Sequence, residues 1–105
     1  MGNEEWPRTF VFLLKFNTTD VKEIAQNIPA DRLKWKHGEC VFMPVTGDFD
    51  MVIIGHDGTM EDALVFAAYL TNTTRYTVCS TLTAFKESEF RYASGLDTED
   101  PHRKG

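Results

Sequence analysis

The run Met51-Val52-Ile53-Ile54 is apolar at four consecutive positions, and Val41-Phe42-Met43 shortly before it at three. Successive side chains of a strand point to opposite faces, so such runs place apolar groups on both sides of a sheet. Stretches 39–46 and 48–56 read as two strands of a hairpin linked through Thr46-Gly47. One face then carries Phe42, Phe49, Met51 and Ile53, and the other carries Val41, Met43, Val45, Val52 and Ile54. Whatever this chain folds into must cover both sides of that hairpin.

The rest of the pattern supplies cover for one side. Residues 9–16, aromatic and branched with little interruption, read as a strand. Thr18-Thr19-Asp20 offers helix caps, Asp20 with Glu23 resembles a capping box, and Val21, Ile24, Ala25 and Ile28 follow at helical spacing. Pro29 is expected to interrupt this helix, with a second helical turn over 30–36 and Gly38 as its stop. Thr59, with Asp62 three residues on, caps a second helix whose stripe is Met60, Ala63, Leu64 and Ala67, ending near Leu70. Val65, Phe66 and Tyr69 fall off that stripe, free to widen its buried face or to meet another subunit. Residues 75–85 make a fourth strand.

The order β-α-β-β-α-β predicts an α+β, ferredoxin-like chain: an antiparallel sheet of strand order 4-1-3-2 with both helices on one face. An N-terminal arm (1–8) precedes this domain (9–86), and an extension (87–105) follows it. A large apolar face left in water is avoided by stable monomers, and the simplest cover is a second copy. The expectation is a homodimer with its sheets packed face to face. Phe90 and Tyr92 flank the core, and the segment from Glu87 to Tyr92 is placed to strap across a neighbour.

Charge narrows the partners. Sixteen acidic against 11 basic residues in 105 leave a formal net charge of −5, which disfavours nucleic acid as a partner. No apolar run approaches the ~18 residues of a membrane span. The polar start Met1–Arg8 does not read as a secretory signal, so a cytoplasmic protein is expected, with Cys40 and Cys79 reduced and the sequons at Asn17 and Asn72 idle. Cys40 and Cys79, on strands at opposite edges of the sheet, lie too far apart for a disulfide.

The stretch Gly47-Asp48-Phe49-Asp50, running into Met51-Val52-Ile53-Ile54, resembles the Gly-acidic-aromatic-Asp signature of the GYD domain family, with Phe49 where the family usually has Tyr. Leu14-Lys15-Phe16 closing the first strand and Thr83-Ala84-Phe85 closing the last are similar in context, so the resemblance covers roughly residues 9–86. The segment from Asn17 to Thr46 is short for the family, and the tail after Phe85 is extra. The resemblance implies a dimeric α/β barrel, assembling further, and implies no reaction.

Four groups of residues could carry chemistry. With a two-residue hairpin loop, His37 sits across from His56 near Glu39, Asp57 and Cys40, the beginning of a metal site; two polar residues capping a strand end is the plainer reading. Asp50, beside Met51 and Val52, is either a desolvated base or a hydrogen-bond acceptor at the hairpin, with Arg75 or Lys15 as counter-charge. On the last strand Arg75, Thr77, Cys79, Thr81 and Thr83 alternate to one side, a row in which Arg75 could anchor a small anionic ligand beside Asp50 and Thr77. Cys79 as a nucleophile lacks a neighbouring base in the sequence. No residue pattern asks for a cofactor. The function expected first is a non-catalytic homo-oligomeric module that binds a small molecule or serves as an assembly unit. The alternative is a cofactor-free enzyme, monooxygenase- or isomerase-like, using Asp50 and His56 in a cavity between sheet and helices.

Overall fold

The computed structural model describes residues 7–96. The elements are β1 (Arg8–Phe16), α1 (Val21–Arg32), β2 (Cys40–Pro44), β3 (Met51–Gly58), α2 (Met60–Asn72), β4 (Tyr76–Ala84) and α3 (Glu87–Ala93). The four strands form one antiparallel sheet in the order β2-β3-β1-β4, an α+β arrangement compatible with the ferredoxin-like plan. The N-terminal arm before Pro7 and the tail beyond Leu96 lie outside the described residues.

Both long helices begin where the caps predict. The Asp20 carboxylate accepts the Lys22 and Glu23 amides at 3.1 and 3.3 Å. Thr59 Oγ1 accepts the Asp62 amide at 3.2 Å, while Asp62 Oδ2 accepts the Thr59 amide at 2.9 Å, a reciprocal box that satisfies two otherwise orphaned donors. Pro29 does not break α1. It sits inside a helix that runs on to Arg32, where the missing amide costs the helix only the bond to the Ala25 carbonyl one turn back.

Between the sheet and the helices lies an aromatic core. Phe10, Phe12 and Leu14 of β1, Met51 and Ile53 of β3, and Phe42 of β2 pack against Ile24, Trp35, Ala63, Phe66 and Leu70. Trp35 meets Phe10, Phe12 and Phe66 edge to face at 6.3, 6.1 and 5.5 Å, the arrangement aromatic quadrupoles favour. Its indole lies flat over two strand glycines. A Cβ at Gly55 would stand 2.7 Å from the ring and one at Gly58 2.4 Å, so only glycine admits the indole there. Trp35 Nε1 donates to the His56 carbonyl at 2.9 Å, which fixes the ring's orientation.

Three local expectations are corrected. The hairpin is wider than a two-residue turn: Val45 donates to the Asp50 carbonyl at 3.0 Å, so residues 46–49 form the loop and Phe49 lies in it rather than on β3. The α2 stripe is rotated, with Ala63, Phe66 and Leu70 buried and Met60 and Leu64 exposed. Apolar residues nearly encircle this helix, so periodicity alone does not pick its inner face. On β4 a bulge interrupts the alternation: Leu14 pairs with Val78 but Leu13 with Ser80, leaving Cys79 as the extra residue. Thr77 shares a face with Lys15, whereas Thr81 and Thr83 share the other with Phe12 and Phe10, so the row of hydroxyls is split.

Candidate functional site

The side of the sheet turned away from the helices has no cover among the described residues. Its rows follow from the register: Met43, Val52, Leu13 and Ser80 lie across one line, and Val41, Ile54, Val11 and Leu82 across the next. Met43 is 41% exposed and Leu82 49%, and the five other apolar residues are half-buried by their neighbours alone. β-branched and aliphatic residues at these positions satisfy strand propensity and leave a flat apolar surface. Thr9, Lys15, Thr77 and His56 give that surface a polar rim.

His56 belongs to the rim. Its Nδ1 lies 3.1 Å from Thr9 Oγ1, and its amide donates to the Glu39 carbonyl, so Glu39 stands across from it on β2. The expected pairing of His37 with His56 is therefore corrected. The longer loop moves the register by two residues, and His37 instead points Nε2 at Asp62 Oδ2, 3.6 Å away at the start of α2. Cys40 is buried on the helix side, opposite in sense to His56. Burial pushes its thiol up to about 11, against the lowering influence of Arg32. Among the described residues no three His, Cys, Asp or Glu side chains are grouped to hold a metal ion.

Asp50 serves the backbone. Its Oδ2 accepts the Phe16 amide at 2.9 Å and its own amide donates to the Leu14 carbonyl at 2.9 Å, tying the hairpin loop to the end of β1. Six residues of strand separate it from His56, about 20 Å at ~3.3 Å per residue, so the two cannot share a proton within one chain.

Arg75 faces neither Asp50 nor open solvent. One nitrogen, Nη2, lies 2.6 and 2.7 Å from the two oxygens of Asp31, which is fully buried on α1. Tyr69 Oη donates to Asp31 Oδ1 at 2.7 Å and Tyr76 Oη to Oδ2 at 3.2 Å, so α1, α2 and β4 are joined through one carboxylate. Burial raises the Tyr76 hydroxyl to about 12, helped by the negative charge of Asp31, and the same two causes raise Tyr69. Burial opposes charge on Arg75, but its hydrogen bonds and attraction to Asp31 outweigh that and raise its pKa. Thr77 Oγ1 donates to Asn17 Oδ1 at 2.8 Å. Arg75, Asp50 and Thr77 thus lie toward one end of the sheet, each with its own partner.

Surface clefts lie at other places on the described residues. One of about 430 Å³ lies at the opposite end, between Arg8, Thr9, Asp57, Phe85, Lys86 and Glu89. Asp57 there holds φ at 63°, a left-handed conformation uncommon outside glycine. Another, about 560 Å³, runs along the β2 edge by Arg32, Trp35 and Cys40. No helix among the described residues is long and apolar enough to cross a membrane. No protein-family model matches the chain, and no curated protein or solved structure is similar to it.

Proposed function

We propose that this chain is a homodimeric, GYD-like assembly module whose two sheets stack through their uncovered faces. The observation that supports the reading is the pair of apolar rows made by Val11, Leu13, Val41, Met43, Val52, Ile54 and Leu82, continuous across all four strands and interrupted only by Ser80. Covering them with an identical face needs no second gene product and closes the assembly under a two-fold axis. Both cysteines are free and sit on opposite edge strands, which suits a reducing compartment such as the cytoplasm.

Sedimentation equilibrium tests this directly. Wild-type protein is expected at the mass of two subunits, and Ile54→Lys, a charge at the middle of the face, at the mass of one with unchanged far-UV circular dichroism. Wild type behaving as a folded single subunit at micromolar concentration overturns the proposal.

Small-molecule binding is the second reading, and the cleft bearing Arg8, Asp57, Lys86 and Glu89 favours it. A ligand of mixed charge suits two cations facing two carboxylates, and native mass spectrometry of freshly purified protein would detect it. Catalysis in a cavity between sheet and helices gains no support, because Phe10, Phe12, Trp35 and Phe66 occupy that layer.

A further inference from the structure

The turn that carries the chain from α1 to β2 is a basic spot on an acidic molecule. Arg32, Lys34 and Lys36 fall within five positions, with no carboxylate between Asp31 and Glu39, whereas the whole chain carries −5. Asp31 does not answer them, because Arg75 already holds it. Among the described residues none of the three cations has a carboxylate within 4 Å. Arg32 lies over the Phe42 ring at 5.5 Å and Lys34 over that of Tyr69 at 5.4 Å.

β2 runs beside this turn as an edge strand, and its register decides which backbone groups are open. The His56 amide donates to the Glu39 carbonyl and the Val45 amide to the Asp50 carbonyl, so the odd-numbered residues spend their amides and carbonyls on β3. Cys40 and Phe42 therefore turn both groups to the open edge, and Pro44 turns its carbonyl, having no amide to offer. Among the described residues no backbone bond from a turn, loop or helix reaches these groups, although Cys40 is only 7% exposed and Phe42 9%. Amides and carbonyls of residues so sheltered are nearly always paired.

The cleft of about 560 Å³ joins that edge to the basic turn. Arg32, Leu33 and Trp35 line it from the turn, and Cys40, Val41 and Phe42 from β2. Leu33 is 80% exposed there. Glu39 also lines it, but is outnumbered by the cations of the turn. Outward amides and carbonyls at strand spacing take up another extended backbone. A second copy of β2 fits poorly. It would bring the Arg32 guanidinium, stacked on Phe42 at the middle of the strand, toward its own copy, and each Pro44 would leave a facing carbonyl without a donor. An acidic segment instead answers Arg32 directly and the field of Lys34 and Lys36 beyond it. Apolar side chains between its acids meet Leu33 and Phe42.

We infer that the β2 edge is a docking site for an extended acidic peptide segment of a partner protein, which adds to the sheet as a further strand beside the Arg32–Lys36 turn. The inference uses the edge of the strand and not its face, so it stands whether or not the sheets pair.

A phage-displayed library of short random peptides, selected against the full chain, tests it. The peptides recovered should alternate Asp or Glu with apolar residues. The strongest, labelled with fluorescein and followed by anisotropy, should bind Arg32→Glu at least ~tenfold more weakly, a loss of about 1.4 kcal/mol. That variant should keep the wild-type far-UV spectrum, because Arg32 is exposed. Lys22→Glu, the same charge change at the other end of α1, should leave binding within about twofold. Peptides N-methylated at every second residue, in the two alternate phases, test the backbone pairing: one phase should abolish binding and the other spare it, since a strand pairs through one edge at a time. Recovery of no peptide, or of basic or uncharged ones, overturns the site. So does a peptide indifferent to Arg32→Glu, or one for which both phases behave alike. If no peptide is recovered and Arg32→Glu alters the subunit mass, a second copy occupies the edge and the peptide site is equally overturned.

Discussion

Asp31 is a carboxylate side chain fully buried on α1, and everything around it follows from that. Nη2 of Arg75 bridges both its oxygens and two tyrosine hydroxyls add a bond to each, while the buried Nε of Arg75 has no partner among the described residues. Removing one partner of such a pair strands the other charge, whereas replacing both with apolar groups is often nearly neutral. Asp31→Ala is therefore expected to cost ~3–5 kcal/mol in urea unfolding. A double Asp31→Leu/Arg75→Met variant should recover most of that loss, and equal losses in single and double variants would show that the pair does not act as a unit. Asp31 was not singled out from the sequence, because the expected break at Pro29 takes it off the stripe of Ile24 and Ile28; the unbroken helix sets the three at i, i+4 and i+7. The partner was not legible, because Arg75 is 44 residues away and only the packing of α1 against α2 and β4 brings it near.

Titration gives a second test at the same scale. The fold favours the neutral forms of Cys40, raised from 9.0 to about 11, and Tyr76, raised from 10.0 to about 12. Above pH 9 the unfolded chain loses these protons first, so stability is fully present below that pH and falls as the pH climbs through 11 and 12. The urea midpoint should stay level from pH 7 to about 9 and then decline. Cys40→Ala should flatten the early part of the decline, between about 9 and 11. A midpoint independent of pH across that window would contradict the burial of the thiol.

Among the elements, what could be read from the chain was whatever depends on neighbours in sequence. Asp20 and Thr59 start their helices because a cap needs only residues two or three positions away. The strands stand close to their expected places because β-branched and aromatic runs are local as well. Features set by distant residues were misread. Whether Pro29 ends α1 depends on how much packing holds the last turn, and Asp31, two residues later, anchors that turn from within the core. Which side of α2 turns inward is decided by Phe66 meeting Phe12 at 5.2 Å and Trp35 at 5.5 Å, not by spacing. The hairpin loop is set by Asp50, whose amide and carboxylate both bind the end of β1, and this closes the ladder at Val45 before Gly47. Because the error was two residues and not one, the side chains that pair between β2 and β3 kept their faces while the expected histidine pair disappeared. Nothing local in the sequence accounts for Gly55 and Gly58, and the indole of Trp35 lying on them gives the reason they lack side chains.

At the scale of the whole molecule, the feature that was most legible is also the one with the widest consequence. Apolar residues at consecutive strand positions make both faces of the sheet apolar, and α1 and α2 cover one. If an identical face covers the other, folding and association are linked, and thermal stability must depend on protein concentration. A hundredfold rise in concentration adds about 2.7 kcal/mol per dimer, or roughly 1.4 kcal/mol per chain. At ~4–8 °C per kcal/mol for a domain of this size, the midpoint should climb on the order of 5–10 °C between 1 and 100 μM. Ile54→Lys should show one midpoint at both concentrations, at or below the wild type's lower value, because its remaining core is the same aromatic layer beneath the helices. A wild-type midpoint that ignores concentration would mean that the rows from Val41 to Leu82 and from Met43 to Ser80 face water in the working protein, and that the helix-side core alone sustains the fold.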